Sequence, residues 1–289
     1  MMKLIDYLKE AEDKRQAIGH FNISNLEMLK AVWLAASELS LPVIVGVSEG
    51  ERDFIGVKQV ADMVKSLRQE HNYPIFLNAD HTYSLDRIKE VVATGYDSVI
   101  FDSSNLPVEE NIKLTKQVVD YVKNNNPDIL VEGELGYIGA SSKILEELPQ
   151  DVDLSPTALP TADDARQYVL ATGVDLLSPA VGNIHGMLKN SVNPKLSIDN
   201  ILSIKKAVNV PLVLHGGSGI SDDDFVKAIK AGISQIHIST EMRIAYRDAL
   251  RKSLQDNPDE LAPYRLLKPT VVEVQKVVRR RLQLFASLV

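Results

Sequence analysis

The nine residues Pro211-Leu212-Val213-Leu214-His215-Gly216-Gly217-Ser218-Gly219 hold the pattern that decides the fold. A short apolar run is followed at once by a polar, glycine-rich turn, and an amphipathic stretch, Asp222–Ala231, comes next. A run that is apolar throughout is typical of a strand buried on both faces of a parallel sheet. The unit therefore predicts a strand, a loop and a helix in that order.

The same unit recurs along the whole chain. Eight apolar or β-branched runs predict strands: Ala17–Asn22, Pro42–Ser48, Pro74–Asn78, Asp97–Phe101, Ile129–Gly133, Asp175–Val181, Pro211–His215 and Gln235–Ser239. Longer amphipathic runs predict the helices between them: Leu26–Leu39, Val57–Glu70, Leu85–Thr94, Glu109–Asn124, Ala162–Thr172, Ile198–Val208, Asp222–Ala231 and Met242–Gln255. Eight strands that alternate with eight helices favour an α/β fold, the (β/α)8 TIM barrel.

A doubly wound open sheet is the alternative architecture. It would usually carry a glycine-rich phosphate fingerprint after its first strand, which Gly19-His20-Phe21-Asn22 lacks. Because no linker or low-complexity tract interrupts the chain, we expect residues 1–289 to form one barrel domain. The irregular connection Gly136–Pro160 is long for a loop and predicts a mobile active-site segment.

The end of the chain predicts a helical extension over about residues 257–289. Its helix is expected to cover Val271–Leu288, with an apolar stripe on one side. The run Arg279-Arg280-Arg281 predicts a solvated basic face. A dimer surface, with one arginine reaching a second phosphate, is the alternative.

Composition excludes several classes of protein. Apolar residues form 45% of the chain and charged residues 25%, so a disordered or fibrous chain is excluded. The formal charge of −7 argues against a nucleic-acid partner, and the absence of cysteine excludes disulfides, zinc–thiolate sites and cysteine nucleophiles. Without a secretory signal or an apolar run long enough to span a membrane, a cytoplasmic protein with no membrane partner is expected.

Five of the six histidines lie at or beside a predicted strand end. They are His20, His81, His185, His215 and His237. Barrel enzymes work at the carboxyl ends of their strands, so these side chains are expected at one rim. For a single histidine, a hydrogen-bonded structural role is the commoner explanation. Imidazoles that converge from different strands are suitable ligands for a catalytic Zn²⁺.

Carboxylates and a glycine-rich loop fall at the same strand ends. Buried acids such as Asp80, Asp102, Glu132 and Glu134 are costly unless they are paired, metal-bound or catalytic, although Asp80 could equally cap a helix. The Gly216–Gly219 loop and the hydroxyls of Ser239 and Thr240 follow strands seven and eight. Loops at those positions form the usual phosphate site of this fold.

Five motifs together give the chain a family likeness: Asp80-His81, Val131-Glu132-Gly133-Glu134-Leu135-Gly136, Ile184-His185-Gly186, Leu214–Gly219 and Ser239-Thr240-Glu241. In this order the chain resembles the class II, metal-dependent ketose-bisphosphate aldolases, the fructose- and tagatose-bisphosphate aldolase family. The resemblance extends from Gly19 to about Arg243. It implies a lyase of carbohydrate metabolism, by default the glycolytic enzyme that cleaves fructose 1,6-bisphosphate to dihydroxyacetone phosphate and glyceraldehyde 3-phosphate.

The resemblance also implies roles for individual residues. His81, His185 and His215 would bind the catalytic Zn²⁺, and Asp80 would be the acid–base residue. Asp102 and Glu134 would belong to a second, more labile position for a divalent metal or a monovalent cation. The dihydroxyacetone phosphate half would be held by Gly186, Gly216, Gly217, Ser218, His237, Ile238, Ser239 and Thr240.

A second base is expected to act on the methylene carbon of dihydroxyacetone phosphate. Glu146 and Glu147 are the candidates, because both lie in the long connection. A homodimer or homotetramer is expected as the assembly.

Three departures from the family pattern bear on the substrate. Asn78 and Asn105 stand where the family usually has histidine, and His237 stands where it usually has asparagine. The three histidine ligands and Asp80 are unaffected. The pocket around the ketose carbons is altered, so a different ketose phosphate is an alternative substrate.

Other functions remain as alternatives. A Schiff-base aldolase needs a lysine inside the barrel, and no predicted strand contains one. A barrel metallohydrolase typically has His-x-His on its first strand, which this chain lacks. Two alternatives are left: a related phosphosugar lyase or isomerase, and a barrel that binds a phosphosugar without turnover. Asp80 argues against the non-catalytic barrel, because binding alone does not need this residue.

Overall fold

The computed structural model describes residues 2–139 and 142–287 as a closed parallel barrel. The barrel strands in this part of the chain are β1 Ile18–Asn22, β2 Val43–Val47, β3 Ile75–Thr82, β4 Ser98–Phe101, β5 Leu130–Leu135, β7 Leu176–Pro179, β9 Leu212–Leu214 and β10 Ile233–Ile238. Two short strands, β6 Ile144–Leu145 and β8 Met187–Leu188, form a separate parallel pair. The barrel closes in the order β1-β10-β9-β7-β5-β4-β3-β2. The predicted (β/α)8 TIM barrel is confirmed, and the open doubly wound sheet is excluded.

Helices cover the outside of the barrel. They are α1 Leu4–Asp13, α2 Leu26–Leu39, α3 Glu49–Ile55, α4 Val57–His71, α5 Leu85–Val92, α6 Val108–Asn125, α7 Ala162–Thr172, α8 Ile198–Ala207, α9 Asp222–Ala231, α10 Thr240–Asp256 and α11 Pro263–Phe285. Within the described residues, no helix is both long and apolar enough to cross a membrane. That residues 1–289 form one domain stays a prediction.

Two helices were not expected from the sequence. The helix α1 closes the amino-terminal end of the barrel, where Leu4 and Leu8 pack against Ile18, Ile44 and other residues of the strands. The helix α3 follows β2 directly and lies beside the opposite, carboxyl-terminal rim.

The C-terminal helix differs from the prediction in where it begins and in the solvent exposure of one of its arginines. It begins at Pro263 rather than at Val271, and the predicted end, Leu288, lies outside the described residues. The side chains of Arg279 and Arg280 are 46% and 70% exposed, as a solvated basic face requires. The prediction is wrong for Arg281, whose side chain is only 7% exposed because it points toward the barrel and pairs with acids there.

Gly46 on β2 leaves room inside the barrel for the imidazole of His20 on β1. A Cβ at residue 46 would lie 2.0 Å from Cε1 of His20 and 2.4 Å from Nε2. The ring of His20 is fully buried and stacks on His237 with 3.5 Å between ring centroids. The ring of His20 therefore has no free space into which it could move if a side chain were added at residue 46.

We expect Gly46→Ala to lower the free energy of unfolding by about 1–3 kcal/mol, because the added methyl group overpacks the barrel interior. In a His20→Ala background the same substitution should cost much less, because the colliding ring is gone. Urea denaturation of the four proteins in this double-mutant cycle measures the coupling. An equal cost of Gly46→Ala in both backgrounds would contradict the packing described.

Candidate active site

A cavity of about 260 Å³ opens at the carboxyl-terminal rim of the barrel. Most of the residues expected to form a site line it: Asp80, His81, His185, Gly186, His215, Gly216, Gly217, Ser218, His237, Ser239 and Thr240. Three expected site residues do not. Asp102 and Glu134 lie behind His81, and the side chain of Ile238 is buried in the hydrophobic core.

A bulge at the end of β3 carries the two central side chains. The pairing of β3 with β4 shifts register between Ala79 and Thr82, and β3 extends past its predicted end at Asn78. His81 has a φ of 34°, a left-handed conformation that is strained for a residue with a side chain. Asp80 and His81 thus reach the cavity from adjacent positions that a regular strand would direct to opposite faces.

Arg52 holds this bulge in place. Its side chain is buried, with the residue 1% exposed, and Nη1 donates to the carbonyl oxygens of Val47 at 2.6 Å and Asp80 at 3.1 Å. Nη2 donates to Oγ1 of Thr82 at 2.9 Å. Arg52 comes from α3, which sequence reasoning missed; the capping box of Ser48 with Glu51 was the available signal.

Three imidazoles converge at the floor of the cavity. The atoms that His81, His185 and His215 offer lie within 4.8 Å of one another, and Nε2 of His81 is 3.2 Å from Nδ1 of His215. A second ring nitrogen of each histidine contacts the protein and so holds the ring. Nδ1 of His81 lies 2.9 Å from Oδ2 of Asp102, and Nδ1 of His185 donates to the carbonyl oxygen of Gly139 at 2.7 Å. Nε2 of His215 lies 2.6 Å from Oε1 of Glu132. Histidines bound this way present their free nitrogens to a metal ion in a fixed orientation.

The charges around His81 also fit a cation. Oδ1 of Asp80 lies 3.9 Å from Nε2 of His81, and Oε2 of Glu134 lies 3.6 Å from Nδ1. Oδ1 of Asp80 and Oε2 of Glu134 are buried without a hydrogen-bond partner among the described residues. Burial would lower the pKa of His81, but Asp80, Asp102 and Glu134 raise it to about 10. The carboxylates therefore favour positive charge at this point, and the donor set suits a divalent metal.

The surroundings shift the pKa values of Asp80 and Glu132 in opposite directions. Burial raises the pKa of Asp80, but His81 and neighbouring imidazoles outweigh it and hold that pKa well below its usual value. Burial, together with Asp80 and Glu134, raises the pKa of Glu132 well above its usual value. The surroundings thus favour the ionised form of Asp80.

His237 lies beside Asp80 in the cavity. The amide of Gln235 donates to Nε2 of His237 at 2.7 Å, which leaves the proton on Nδ1, 3.4 Å from Oδ1 of Asp80. Burial, followed by the charge of His20, lowers the pKa of His237 to about 3, so the ring is neutral. Nδ2 of Asn22 donates to the other oxygen of Asp80 at 2.8 Å.

His20 has a different place from the one expected. Instead of reaching the cavity, it lies in the barrel interior, where it stacks on His237 and its Nε2 contacts Oδ1 of Asn78 at 3.1 Å. On the other face of His237 lies His215, with ring centroids 4.0 Å apart. The three rings form one stack that fixes the plane of His237.

The glycine-rich loop after β9 and the start of α10 form the wall opposite Asp80. A Cβ on Gly216 would lie 2.2 Å from the carbonyl oxygen of Ile184, and Gly216 has a φ of 63°, so only glycine fits there. Oγ of Ser218 accepts hydrogen bonds from the backbone N–H groups of Ser239 and Glu241, both at 3.3 Å. The N-terminus of a helix favours a bound anion through its dipole, so the loop beside it is a candidate phosphate site.

Two cavity residues that sequence reasoning missed are Glu49 and Arg243. Arg243 lies one turn into α10, on the same helix face as Thr240, and its Nη2 bonds to Oε1 of Glu51 at 2.7 Å. That helical spacing was the available signal for Arg243.

The long connection carries β6, whose pairing with β8 ties it to the segment after His185. Residues 140 and 141 of this predicted mobile segment lie outside the described part of the chain. Glu146 and Glu147 are exposed and do not line the cavity, and Glu146 pairs with Lys189 at 2.7 Å. Their role as a second base stays a prediction.

Known proteins with similar sequences and structures are aldolases. The profile of the family described as "Fructose-bisphosphate aldolase class-II" matches residues 2–288. The chain is 35% identical over 292 residues to the fructose-bisphosphate aldolase of Geobacillus stearothermophilus, covering 99% of this chain and 97% of that one. It is 35% identical over 283 residues to the 6-phospho-5-dehydro-2-deoxy-D-gluconate aldolase of Shouchella clausii, covering 97% and 92%. The crystal structure of the YdjI aldolase from Escherichia coli K12 matches with a TM-score of 0.82 and 32% identity, covering 98% and 96%.

Proposed function

The chain belongs to the class II fructose-bisphosphate aldolase family, a family of lyases, and from this premise we propose a zinc-dependent aldolase acting on a ketose 1,6-bisphosphate. The observation that carries the proposal is the convergence of His81, His185 and His215, each fixed by its outer nitrogen, beside the ionised Asp80. Fructose 1,6-bisphosphate is the default substrate, and dihydroxyacetone phosphate with an aldehyde such as glyceraldehyde 3-phosphate would be its products. A homodimer or homotetramer working in cytoplasmic glycolysis belongs to the same proposal.

The metal would be held by the three imidazoles. His81, His185 and His215 supply three ligands and leave an open position, the arrangement of catalytic zinc sites. Asp102 and Glu134, which share His81 with this group, would hold a second cation. When bound, zinc would stabilise the negative charge that develops on the ketose oxygens as the carbon–carbon bond breaks.

The protein's own groups would move the proton and hold the substrate. Asp80 would take the proton of the hydroxyl at the bond being broken and return it in the condensation direction. Asn22 donates to Oδ2 of Asp80, and Nδ1 of His237 lies 3.4 Å from Oδ1. The Gly216–Ser218 loop, Gly186 and the Ser239-Thr240 turn would bind the phosphate and so place the reacting carbons, with Ile238 contributing only backbone.

A second base would act on the methylene carbon. In the described part of the chain, Glu49 is the carboxylate besides Asp80 that lines the cavity. Glu146 or Glu147 could act there only if the long connection moves inward.

A different ketose phosphate is the second candidate substrate. One relative is named for 6-phospho-5-dehydro-2-deoxy-D-gluconate, so the family includes more than one substrate. The position of His237 beside Asp80 favours this alternative, because an imidazole is bulkier than the family's usual asparagine and crowds the ketose carbons.

The first test concerns the metal. Dialysis against a chelator should abolish cleavage of a ketose 1,6-bisphosphate, and added Zn²⁺ or Co²⁺ should restore it. His215→Ala should lose metal and activity together, because two remaining ligands bind far more weakly. His71→Ala, which changes the histidine that stacks on Trp33 away from the cavity, is the matched control and should keep both. Full activity of protein proved metal-free by elemental analysis would refute zinc dependence.

The second test concerns Asp80. Asp80→Ala should keep its metal and bind dihydroxyacetone phosphate, but cleavage should fall by about 10²–10⁴-fold, the usual contribution of a positioned acid–base group. Exchange of the methylene proton of dihydroxyacetone phosphate, followed by NMR, should fall less because another base performs it. Equal losses in both reactions would mean that Asp80 has a different role.

The third test concerns His237. His237→Asn should raise the cleavage rate of fructose 1,6-bisphosphate relative to the best substrate in a panel of ketose 1-phosphates and 1,6-bisphosphates. The smaller amide also carries N–H groups beside Asp80 but leaves more room at the ketose carbons. Affinity for inorganic phosphate serves as the control and should not change. If the ranking of substrates is unaltered and all rates fall alike, His237 does not set specificity.

A further inference from the structure

Arg281 on α11 forms a buried ionic contact that the proposed reaction does not use. Its Nε and Nη2 bind the two carboxylate oxygens of Glu241 at 2.9 and 2.6 Å. Nη1 binds Oδ1 of Asp222 at 2.8 Å, and the guanidinium lies 5.0 Å from the ring centre of Phe225. A bidentate contact of this kind fixes the orientation of a carboxylate and compensates its charge.

Glu241 passes this constraint to the candidate phosphate loop. Its Oε1 accepts a hydrogen bond from the backbone N–H of Gly219 at 3.2 Å, and its own N–H donates to Oγ of Ser218 at 3.3 Å. Gly219 has a φ of 89°, and Ser218 lines the cavity. The carboxylate therefore joins α10 to the last residue of the loop.

A separate residue holds the other side of the same loop. Nδ2 of Asn193 donates to the carbonyl oxygens of Ser218 at 3.0 Å and Gly186 at 2.9 Å. Asn193 forms no hydrogen bond with Arg281 or Glu241 in the described structure, so it holds the loop through separate contacts. Loss of Arg281 should loosen the Glu241 side while the Asn193 side stays in place.

We propose that Arg281 is a positioning residue for phosphate binding, acting through Glu241 on the Ser218-Gly219 backbone. The inference rests on the proposed function, since it takes this loop as the phosphate site. Without Arg281 the carboxylate of Glu241, 15% exposed, loses its main countercharge and turns toward water. The backbone N–H of Gly219 then loses its acceptor, and the Ser218-Gly219 backbone of the proposed phosphate site is held less firmly.

The effect should fall on binding rather than on the chemical step. In the closed strand order, β3, which carries Asp80, lies directly opposite β9, which leads into the loop. We therefore expect Arg281→Met to raise KM for the ketose bisphosphate and Kd for inorganic phosphate about tenfold each, the usual value of one orienting hydrogen bond. The value of kcat should stay within about twofold.

Arg280 offers a matched control. It precedes Arg281, binds the same Asp222 at 2.9 Å and is 70% exposed, but it does not contact Glu241. Arg280→Met should leave KM, kcat and phosphate affinity unchanged. Arg281→Lys, which keeps the charge but not the fork, should fall between the wild type and Arg281→Met.

A double variant keeps the test decisive if Arg281→Met folds poorly. Arg281→Met with Glu241→Ala removes both buried charges together, which is better tolerated than leaving one unpaired. Calorimetric titration with inorganic phosphate should give the same Kd for this double variant as for Glu241→Ala alone, because both residues act on one path.

Three results would overturn the inference. They are an unchanged phosphate Kd in folded Arg281→Met, additive losses in the double variant, and a loss confined to kcat. Wild-type protein that binds no phosphate would overturn the proposed phosphate site as well. Wild-type binding that the variants leave unaltered would overturn only the role of Arg281.

Discussion

The burial of three carboxylates around His81 is the constraint on which the rest of the site depends. Charged groups taken out of water are costly unless an opposite charge compensates them. Asp80, Asp102 and Glu134 all approach the imidazole of His81, so positive charge is favoured at this end of the barrel. The strained backbone of His81 and the guanidinium of Arg52 bring these groups together, and the proposed metal site and the proposed base both depend on that arrangement.

The barrel could be predicted from the sequence because its strands are short apolar runs buried on both faces. The helix α1 was missed although Leu4, Leu8 and Ala11 are spaced on one helical face; that this face covers the end of the barrel is set by the tertiary fold. Arg281 was assigned to solvent because it stands in a basic run, whereas Glu241 and Asp222, 40 and 59 residues away in the chain, draw it inward. Contacts of that sequence separation are set by the tertiary fold.

The site was predictable where a motif ends a strand and less so where side chains meet across the barrel. His81, His185 and His215 follow strand ends, so their convergence could be expected. The stack of His20 on His237 could not, because it requires the space that Gly46 leaves on a third strand. Arg52 was missed for a related reason: a capping box marks its helix, but its contacts with the carbonyls of Val47 and Asp80 are set by the tertiary fold.

The most direct measurement of the central claim is X-ray absorption at the zinc edge of zinc-loaded protein. The account predicts one zinc ion per chain with three imidazole nitrogens at about 2.0–2.1 Å and one further light ligand. His185→Ala should reduce the imidazole count to two, whereas His20→Ala should leave it at three. A zinc ion surrounded mainly by carboxylate oxygen, or an imidazole count that His20→Ala lowers and His185→Ala does not, would contradict the account.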